Sequence, residues 1–516
     1  MKVVFRTDAS VQIGTGHVSR CLALASRLTK SGAECYFVMR RLDGNMIAAV
    51  ENMGIPVIAL DAPDTGYRSG DLAHSEWLKV DWTVDSKETA TALAPLGAID
   101  WLVVDHYALD EHWERVLRGS AENIMVIDDL ADRPHDCDIL LDQNLQVADD
   151  RYLALLPENT IKLVGPRFAL LRPEFAHARM NAPLRAEQGI TRIFVYCGGV
   201  DLPGLTLRAL IAIEKIRQNG TRIDVVVGAS NPHSSDIAEW CQGRDWVNLH
   251  YGCSDMAQLM ASADLAVGGG GSTSWERCCL GLPSIVVALA DNQKPGGAAM
   301  GKAGAAIYLG DCEALTDEEL IGALRLLAHN NALRSHVANV GSALVDGKGT
   351  DRVISYMHGA KIKLRRATAD DSEQLWHWRN AEENRRYSLT AAIIALPDHQ
   401  KWFSDVLKSS DQDLLIGEAD GAPVGVLRFD HRETAATISV YLVPNRAGRG
   451  EGTQLLHAGS RWLAEFRPLA KAIDADILFE NKASRLAFAA AGYLPFAETL
   501  RYTPSLVTDT LTAKED

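Results

Sequence analysis

No run of about 18 uninterrupted apolar residues occurs in the sequence, so no membrane-spanning helix is expected. Positive charge is in deficit: 52 Lys and Arg face 67 Asp and Glu, a net charge of −15. A general nucleic-acid binder needs the opposite balance, because it works by displacing counterions from phosphates. No nucleic-acid or membrane partner is therefore expected. An anionic ligand would have to be met by local donors or helix N-termini, since the overall field repels it. Cysteines at metal-binding spacing are also missing. The nine present are Cys21, Cys35, Cys137, Cys197, Cys241, Cys253, Cys278, Cys279 and Cys312. Their odd number, and the lack of any CxxC, point to reduced thiols in a cytoplasmic protein with no structural zinc. The opening MKVVFRTDAS lacks the apolar stretch and cleavage site of a secretory signal. Tandem repeats and low-complexity tracts are absent.

What is present is ordinary in composition, 47% hydrophobic and 23% charged, and enough for several cores. A chain of 516 residues exceeds the roughly 250–300 that one core supports. The first half alternates short apolar runs with amphipathic stretches. Strands are expected at 2–5, 34–39, 56–60, 101–105, 124–128 and 139–141, and a helix over 17–30. The pattern restarts at 192–197 and continues at 222–227, 247–251, 265–267 and 284–287. Strands alternating with helices imply parallel sheets covered on both faces. From 362 the order changes to helices over 371–386 and 397–408, then strands at 413–419, 423–430 and 437–443. No cysteine follows Cys312, which agrees with a boundary near 345–362, where VDGKGTDRV leads into a short helix and then the strand KIKLRRA. The expected division is an α/β domain over 1–175, a second over 176–345, a linker at 346–361 and a smaller α+β domain over 362–516.

Ligands of parallel sheets bind at the carboxyl ends of the strands. After the first strand comes a loop in which Gly14 and Gly16 permit a tight turn, followed by His17 in the first turn of a helix. There the helix dipole disfavours an imidazolium, as a general base requires. A helix-capping histidine without chemistry is the other reading. The stronger nucleotide signal is Gly268-Gly-Gly-Gly271-Ser272-Thr273-Ser-Trp-Glu276, which follows a strand and opens a helix. Its backbone N–H groups and hydroxyls suit phosphate, and Glu276 suits ribose hydroxyls. Gly198-Gly199 forms a second junction of this kind. Neither loop carries the lysine of a P-loop, so ATP hydrolysis is not indicated. Asp128-Asp129 at a strand end reads as structural, because adjacent side chains diverge. Asp105 and His106 stay open.

The stretches FRTDASVQIGTGHVSRCLALA, VVDHY at 103–107, GGGGSTSWE at 268–276 and DNQ at 291–293 together resemble the UDP-sugar hydrolase family of pseudaminic acid biosynthesis. The resemblance covers roughly residues 1–345. It implies two Rossmann-like domains in a GT-B-like arrangement and hydrolysis of UDP-2,4-diacetamido-2,4,6-trideoxy-β-L-altropyranose. His17 then matches a base that activates water for attack at the anomeric carbon, Tyr107 and Asn292 match sugar contacts, and Glu276 matches a ribose ligand. Arg6, Asp8 and Arg20 are supports on that reading, or merely salt-bridged. No metal is expected.

In the last third, Val443 leads through Pro-Asn-Arg446-Ala-Gly-Arg449-Gly450-Glu451-Gly452-Thr453 into a helix, and Asn481, Ser484, Phe488 and Gly492-Tyr493 follow. Successive N–H groups at a helix start suit a pyrophosphate. These two ordered motifs resemble the GNAT acetyltransferase superfamily over about residues 362–500. The resemblance implies that Val443, Arg449, Gly450, Glu451, Gly452, Thr453, Asn481 and Ser484 contact acetyl-CoA as co-substrate. Two departures stand out: Ala447 replaces the usual first Gln or Arg of the loop, and Phe488 replaces the tyrosine that protonates the departing thiolate. WHWRN at 376–380 and DHQKWF at 398–403 resemble the N-acetyltransferase of the same pathway, with His399 and Glu418 as acceptor-side candidates. Whether the chain self-associates through this domain stays open.

The two implied activities are consecutive, since the acetylated UDP-sugar is the substrate for hydrolysis. A GT-B glycosyltransferase fused to an acetyltransferase is the alternative enzyme. A non-catalytic UDP-sugar-binding module regulating the acetyltransferase is the alternative of another class.

Overall fold

A computed structural model describes residues 1–62, 72–145, 151–180, 189–253, 255–359, 362–388, 391–419, 421–446, 451–478, 480–491 and 493. Two compact units result, one spanning Met1–Ile354 and one from Ser355 onward.

The first unit contains two parallel sheets. One holds β1 (Lys2–Thr7), β2 (Glu34–Arg40), β3 (Val57–Leu60), β4 (Trp101–Asp105), β5 (Asn123–Ile127), β6 (Ile139–Asp142) and β7 (Ile161–Val164), in the order β3-β2-β1-β4-β5-β6-β7. The other holds β8 (Arg192–Tyr196), β9 (Arg222–Val227), β10 (Val247–Tyr251), β11 (Leu265–Gly269), β12 (Ser284–Ala288) and β13 (Ile307–Asp311), in the order β10-β9-β8-β11-β12-β13. Both orders are doubly wound, with the direction of winding reversing between β1 and β4 and between β8 and β11. Such a reversal opens a crevice at the strand ends. Val3, Val4 and Phe5 of β1 and Leu265, Ala266 and Val267 of β11 are fully buried, because helices cover both faces. Continuous apolar runs in place of alternation follow directly.

The second unit is a single five-stranded sheet of β14 (Lys363–Arg366), β15 (Gln412–Ala419), β16 (Ala422–Arg432), β17 (Ala435–Leu442) and β18 (Ala472–Asp474). All neighbours are antiparallel except β17 and β18. Helices Leu396–Lys408 and Glu451–Phe466 pack on it, bringing Phe403 and Val406 from one and Leu455, Leu456 and Leu463 from the other into its cores.

Several expectations change. β7, β13 and β18 complete the sheets; β7 and β13 are short, and each carries a charged residue, so hydrophobic runs alone do not disclose them. β14 falls on the strand expected just after the boundary. The single helix expected over 371–386 is two, Ser372–Asn380 and Glu382–Arg385, because Ala381 is extended (φ −58°, ψ 141°). The short helix expected within the linker 346–361 is Gly349–Gly359. Its first turn is tied down by the Thr350 hydroxyl donating to the Leu171 carbonyl and by Arg352 donating to the Arg167 carbonyl.

Candidate functional site

The loop after β1 is closed by Ser10, whose hydroxyl accepts the N–H groups of Gln12 and Ile13 and whose carbonyl accepts that of Gly14. Gly14 has φ +80°, so glycine is needed at this turn. The helix Gly16–Lys30 then starts immediately, and His17 is 7% exposed in its first turn. His17 Nδ1 lies 2.6 Å from Asp105 Oδ1, at the end of β4. A contact that short to a carboxylate requires the proton on Nδ1. Arg20 Nη2, 3.3 Å from the same nitrogen, is therefore a neighbour and not its donor. Nε2 has no hydrogen-bond partner among the described residues. A carboxylate that fixes the tautomer and leaves Nε2 as acceptor is the arrangement of a general base and its orienting group.

Asp105 is fully buried, and burial alone would push its carboxyl up. Arg20 and His17 outweigh that and hold it well below the usual carboxylate range. Arg20 binds both Asp105 oxygens at 2.7 Å and reaches Asp129 at 3.1 Å. Asp129 also accepts from the Tyr107 hydroxyl and from Asn144. Burial, with Asp129 beside it, pushes the Tyr107 phenol far above its ordinary range, so it remains a donor. The Tyr107 ring meets the His17 ring edge-on at 4.5 Å. Sequence reasoning left Asp105 open and took Asp129 as structural. Both belong to this network, and no local pattern could announce it, because its members are 85 and 109 residues apart in sequence. Asp128 is different: it pairs with Arg133 and accepts the Ala131 N–H. Arg6 and Asp8 belong to a buried ion cluster with Asp85, Arg40 and Glu88. His106 sits 3.4 Å from Asp8, on the structural side.

The second domain presents its own switch point directly opposite. A Cβ on Gly199 would come within 2.8 Å of Thr15 Oγ1, so the loops after β1 and β8 touch. Gly198 has φ +95°. The expectation that all four glycines of 268–271 serve an anion is corrected. A Cβ at Gly268 would sit 2.5 Å from the Tyr196 carbonyl and one at Gly269 2.9 Å from Leu289, so these two are required for packing. The Gly270 N–H is taken by the Val287 carbonyl and Gln293 Oε1. Gly271 and Ser272 are left, and no acceptor among the described residues takes their N–H groups. Ser272 precedes the helix Thr273–Cys279 without capping it by its side chain, and Thr273 Oγ1 accepts from Arg277. Glu276 is half-buried, its carboxyl has no hydrogen bond among the described residues, and burial raises that carboxyl to about 7 against the pull of Arg172 and Arg277. Asn292 lies in the turn Asp291–Gln293, next to the glutamine that braces Gly270.

In the second unit β17 and β18 pair only from Ala435↔Ala472 to Thr437↔Asp474 and then part. The gap opens into a cavity of about 1260 Å³ lined by Val443, Gly452, Thr453, Asn481 and Ser484 of the expected set, together with His399, Tyr441 and Phe488. Beyond Thr437 the side of β17 that faces away from β16 offers backbone groups to an amide-bearing chain such as pantetheine. The cavity therefore fits the co-substrate. Glu451 does not line it, because its carboxylate is held by Arg446 at 2.7 and 2.9 Å. Asn481 Oδ1 caps the helix Lys482–Ala490 by accepting the Ser484 N–H. Arg449 and Gly450 lie outside the described residues. Glu418 is corrected as an acceptor-side candidate: it pairs with Arg365 at 2.7 Å and is absent from the lining. His399 remains in the lining, its Nε2 donating to the Ser372 carbonyl and its imidazole pushed down by burial. Phe488 packs edge-on against Tyr493, whose hydroxyl is spent on Ser460.

Two doubly wound sheets meeting at their switch points, and a sheet that splits around a cleft, define a nucleotide-sugar type of α/β unit followed by an acetyltransferase-type unit. Comparison with known proteins agrees. Residues 192–343 match the family profile of the glycosyltransferase family 28 C-terminal domain, and residues 361–493 match that of the acetyltransferase (GNAT) domain. The chain thus joins a GT-B-like α/β part to a GNAT domain. Among curated proteins it is 29% identical over 210 residues to the spore coat polysaccharide biosynthesis protein SpsG of Bacillus subtilis, covering 40% of this chain and 61% of that one, less than two thirds of its length. It is 26% identical over 262 residues to the UDP-2,4-diacetamido-2,4,6-trideoxy-beta-L-altropyranose hydrolase of Campylobacter jejuni, covering 50% of this chain and 81% of that one. Among solved structures, MurG of Acinetobacter baumannii aligns over 69% of this chain and 99% of its own, at 16% identity and a TM-score of 0.48. No helix among the described residues is long and apolar enough to cross a membrane.

Proposed function

We propose that the first unit is a UDP-sugar hydrolase and the second an acetyl-CoA-dependent N-acetyltransferase acting on the precursor of the same sugar nucleotide. The observation that carries the hydrolase reading is the 2.6 Å contact between His17 and Asp105 at the switch point that faces the glycine-bearing loops. The N–H groups of Gly271 and Ser272 with the Thr273 hydroxyl hold the diphosphate, Gly14, Gly16, Gly198 and Gly199 let the loops close on it, and Glu276 takes the ribose hydroxyls. Tyr107 and Asn292 flank the sugar. His17 Nε2 removes a proton from water as its oxygen bonds to the anomeric carbon. The bond from that carbon to the diphosphate oxygen breaks, its electron pair leaves with UDP, and the configuration inverts. Asp105 keeps Nδ1–H in place and stabilises the imidazolium as it forms. No metal is assigned a role.

In the second unit the cavity holds acetyl-CoA along β17, through Val443, Gly452, Thr453 and the segment Asn481–Ser484. The co-substrate supplies the acetyl group. The acceptor is the 4-amino group of a UDP-sugar, and no residue is assigned as its base. The relative named as a hydrolase of a diacetamido UDP-sugar supports the order acetylation, then hydrolysis. Both steps are assigned, as part of this proposal, to pseudaminic acid biosynthesis in the cytoplasm. The working boundaries are 1–175, 176–345 and 362–516.

The test is incubation with acetyl-CoA and the 4-amino UDP-sugar, following acetylated nucleotide, free sugar and UDP by mass spectrometry. Supplying the acetylated UDP-sugar alone tests the first unit by itself. The family match of residues 192–343 favours one second reading, a glycosyltransferase. Transfer of the sugar to an added hydroxyl acceptor in preference to water would select it.

A further inference from the structure

Beside His17 stands a group of rings that sequence reasoning did not single out. Trp77 lies in the one-turn helix Ser75–Leu78, and its ring is stacked on Tyr107 at 5.4 Å and 28°. The His17 ring is 6.0 Å from Trp77, and His74 meets Trp77 at 4.6 Å and Tyr107 at 5.3 Å. Trp77 is held there from both sides. Leu78 is buried in the core of the first sheet, and Lys79 takes φ +61°, a conformation that lysine rarely adopts. Lys79 Nζ also donates to Gln12 Oε1, which ties this segment to the loop that carries His17. Yet Trp77 and His74 are only half-buried. Trp77 thus keeps surface open next to His17.

We propose that Trp77, with His74 and Tyr107, is the platform on which an apolar edge of the sugar rests, and that it selects deoxygenated, N-acylated sugars over hydroxyl-rich ones. The inference rests on the hydrolase reading above. Its physical basis is the state of the polar groups around the rings. The Tyr107 hydroxyl is committed to Asp129, and both oxygens of Asp105 are committed to His17 and Arg20. His17 Nε2 is reserved for the attacking water, so a sugar hydroxyl laid on the faces of Trp77 and Tyr107 loses its water and finds no hydrogen-bonding partner in those faces, whereas a methyl or a C–H face loses nothing. Unpaired polar groups discriminate more strongly than missing apolar contacts do. Aromatic faces suit C–H edges for the same reason that they suit one another.

The test compares kcat/KM for UDP-2,4-diacetamido-2,4,6-trideoxy-β-L-altropyranose and for UDP-N-acetylglucosamine in the full chain and in Trp77→Leu. The expected result is a fall of about tenfold or more for the first substrate, little change for the second, and unaltered UDP affinity by calorimetry. An unchanged ratio of the two values, or an equal fall in both, overturns the platform. Saturation-transfer NMR on the unmodified protein provides a readout that does not depend on the variant folding. Irradiating the aromatic protons should label the sugar methyl groups more than the remaining ring protons, and Trp77→Phe should preserve that order. Even labelling overturns the proposal. If the unmodified protein releases UDP from neither nucleotide, the hydrolase reading fails, and methyl labelling, which requires only binding, still decides the platform.

Discussion

At the scale of single residues, Asp105 and His17 make separable contributions. Replacing His17 by Ala removes the proton acceptor, and UDP release from the acetylated nucleotide should fall by about 10²–10⁴ with UDP affinity retained. Asp105→Asn keeps the volume but frees the ring to present either nitrogen. A loss of kcat of about 10² or more is expected, together with a lower melting temperature, because Arg20 is left buried without its carboxylate. A variant with normal kcat would show that the 2.6 Å contact is only structural. Glu276 gives the pH dependence. Burial raises its carboxyl to about 7, so the empty site disfavours the ionised form and loses stability as pH rises from about 4.3 towards 7. On the proposed reading, ribose hydroxyls donate to the carboxylate and favour ionisation, so UDP should bind more tightly as pH rises to about 7, with a proton released. Calorimetry in buffers of different ionisation enthalpy checks this, and Glu276→Gln should flatten the part of the slope that UDP's own phosphate does not supply. His17 and Glu276 could be singled out in the sequence because each sits in a strand–glycine–helix junction that is local in the chain. The contacts of Asp105, Asp129, Trp77 and His74 were not legible, because they are made across the sheet and between loops.

At the scale of elements, the site depends on loops lying closer together than side chains permit. A Cβ on Gly228, at the end of β9, would fall 2.0 Å from the Gly199 carbonyl oxygen. Both atoms belong to backbone, so neither can swing away. Gly228→Ala should displace the loop that touches Thr15, destabilise the first unit by about 1–3 kcal/mol and weaken UDP binding, while acetyl transfer from acetyl-CoA stays normal. Denaturant unfolding and the two separate assays measure these effects. The alternation of strands and helices made the doubly wound class readable from sequence, and most strand ends were placed within two residues. The split of the 371–386 helix at Ala381 was unreadable, because alanine favours helix and only the surrounding contacts extend it. β18 was missed for a related reason: three residues, two of them exposed, carry no alternating pattern.

At the scale of the molecule, the two units have separate cores, and the proposed function gives each its own ligand. Ligand binding raises the stability of the unit that binds it. Thermal unfolding should therefore show one transition raised by UDP and another raised by coenzyme A, and a single transition moved equally by both would contradict this independence. The central claim is that water, activated by His17, attacks the anomeric carbon of the sugar and not a phosphorus atom. Hydrolysis of the acetylated UDP-sugar in water enriched in ¹⁸O tests it most directly. The account predicts that the label appears on the anomeric carbon of the released sugar, with UDP unlabelled. Label in the terminal phosphate of UDP would contradict it, as would complete retention of the nucleotide intact.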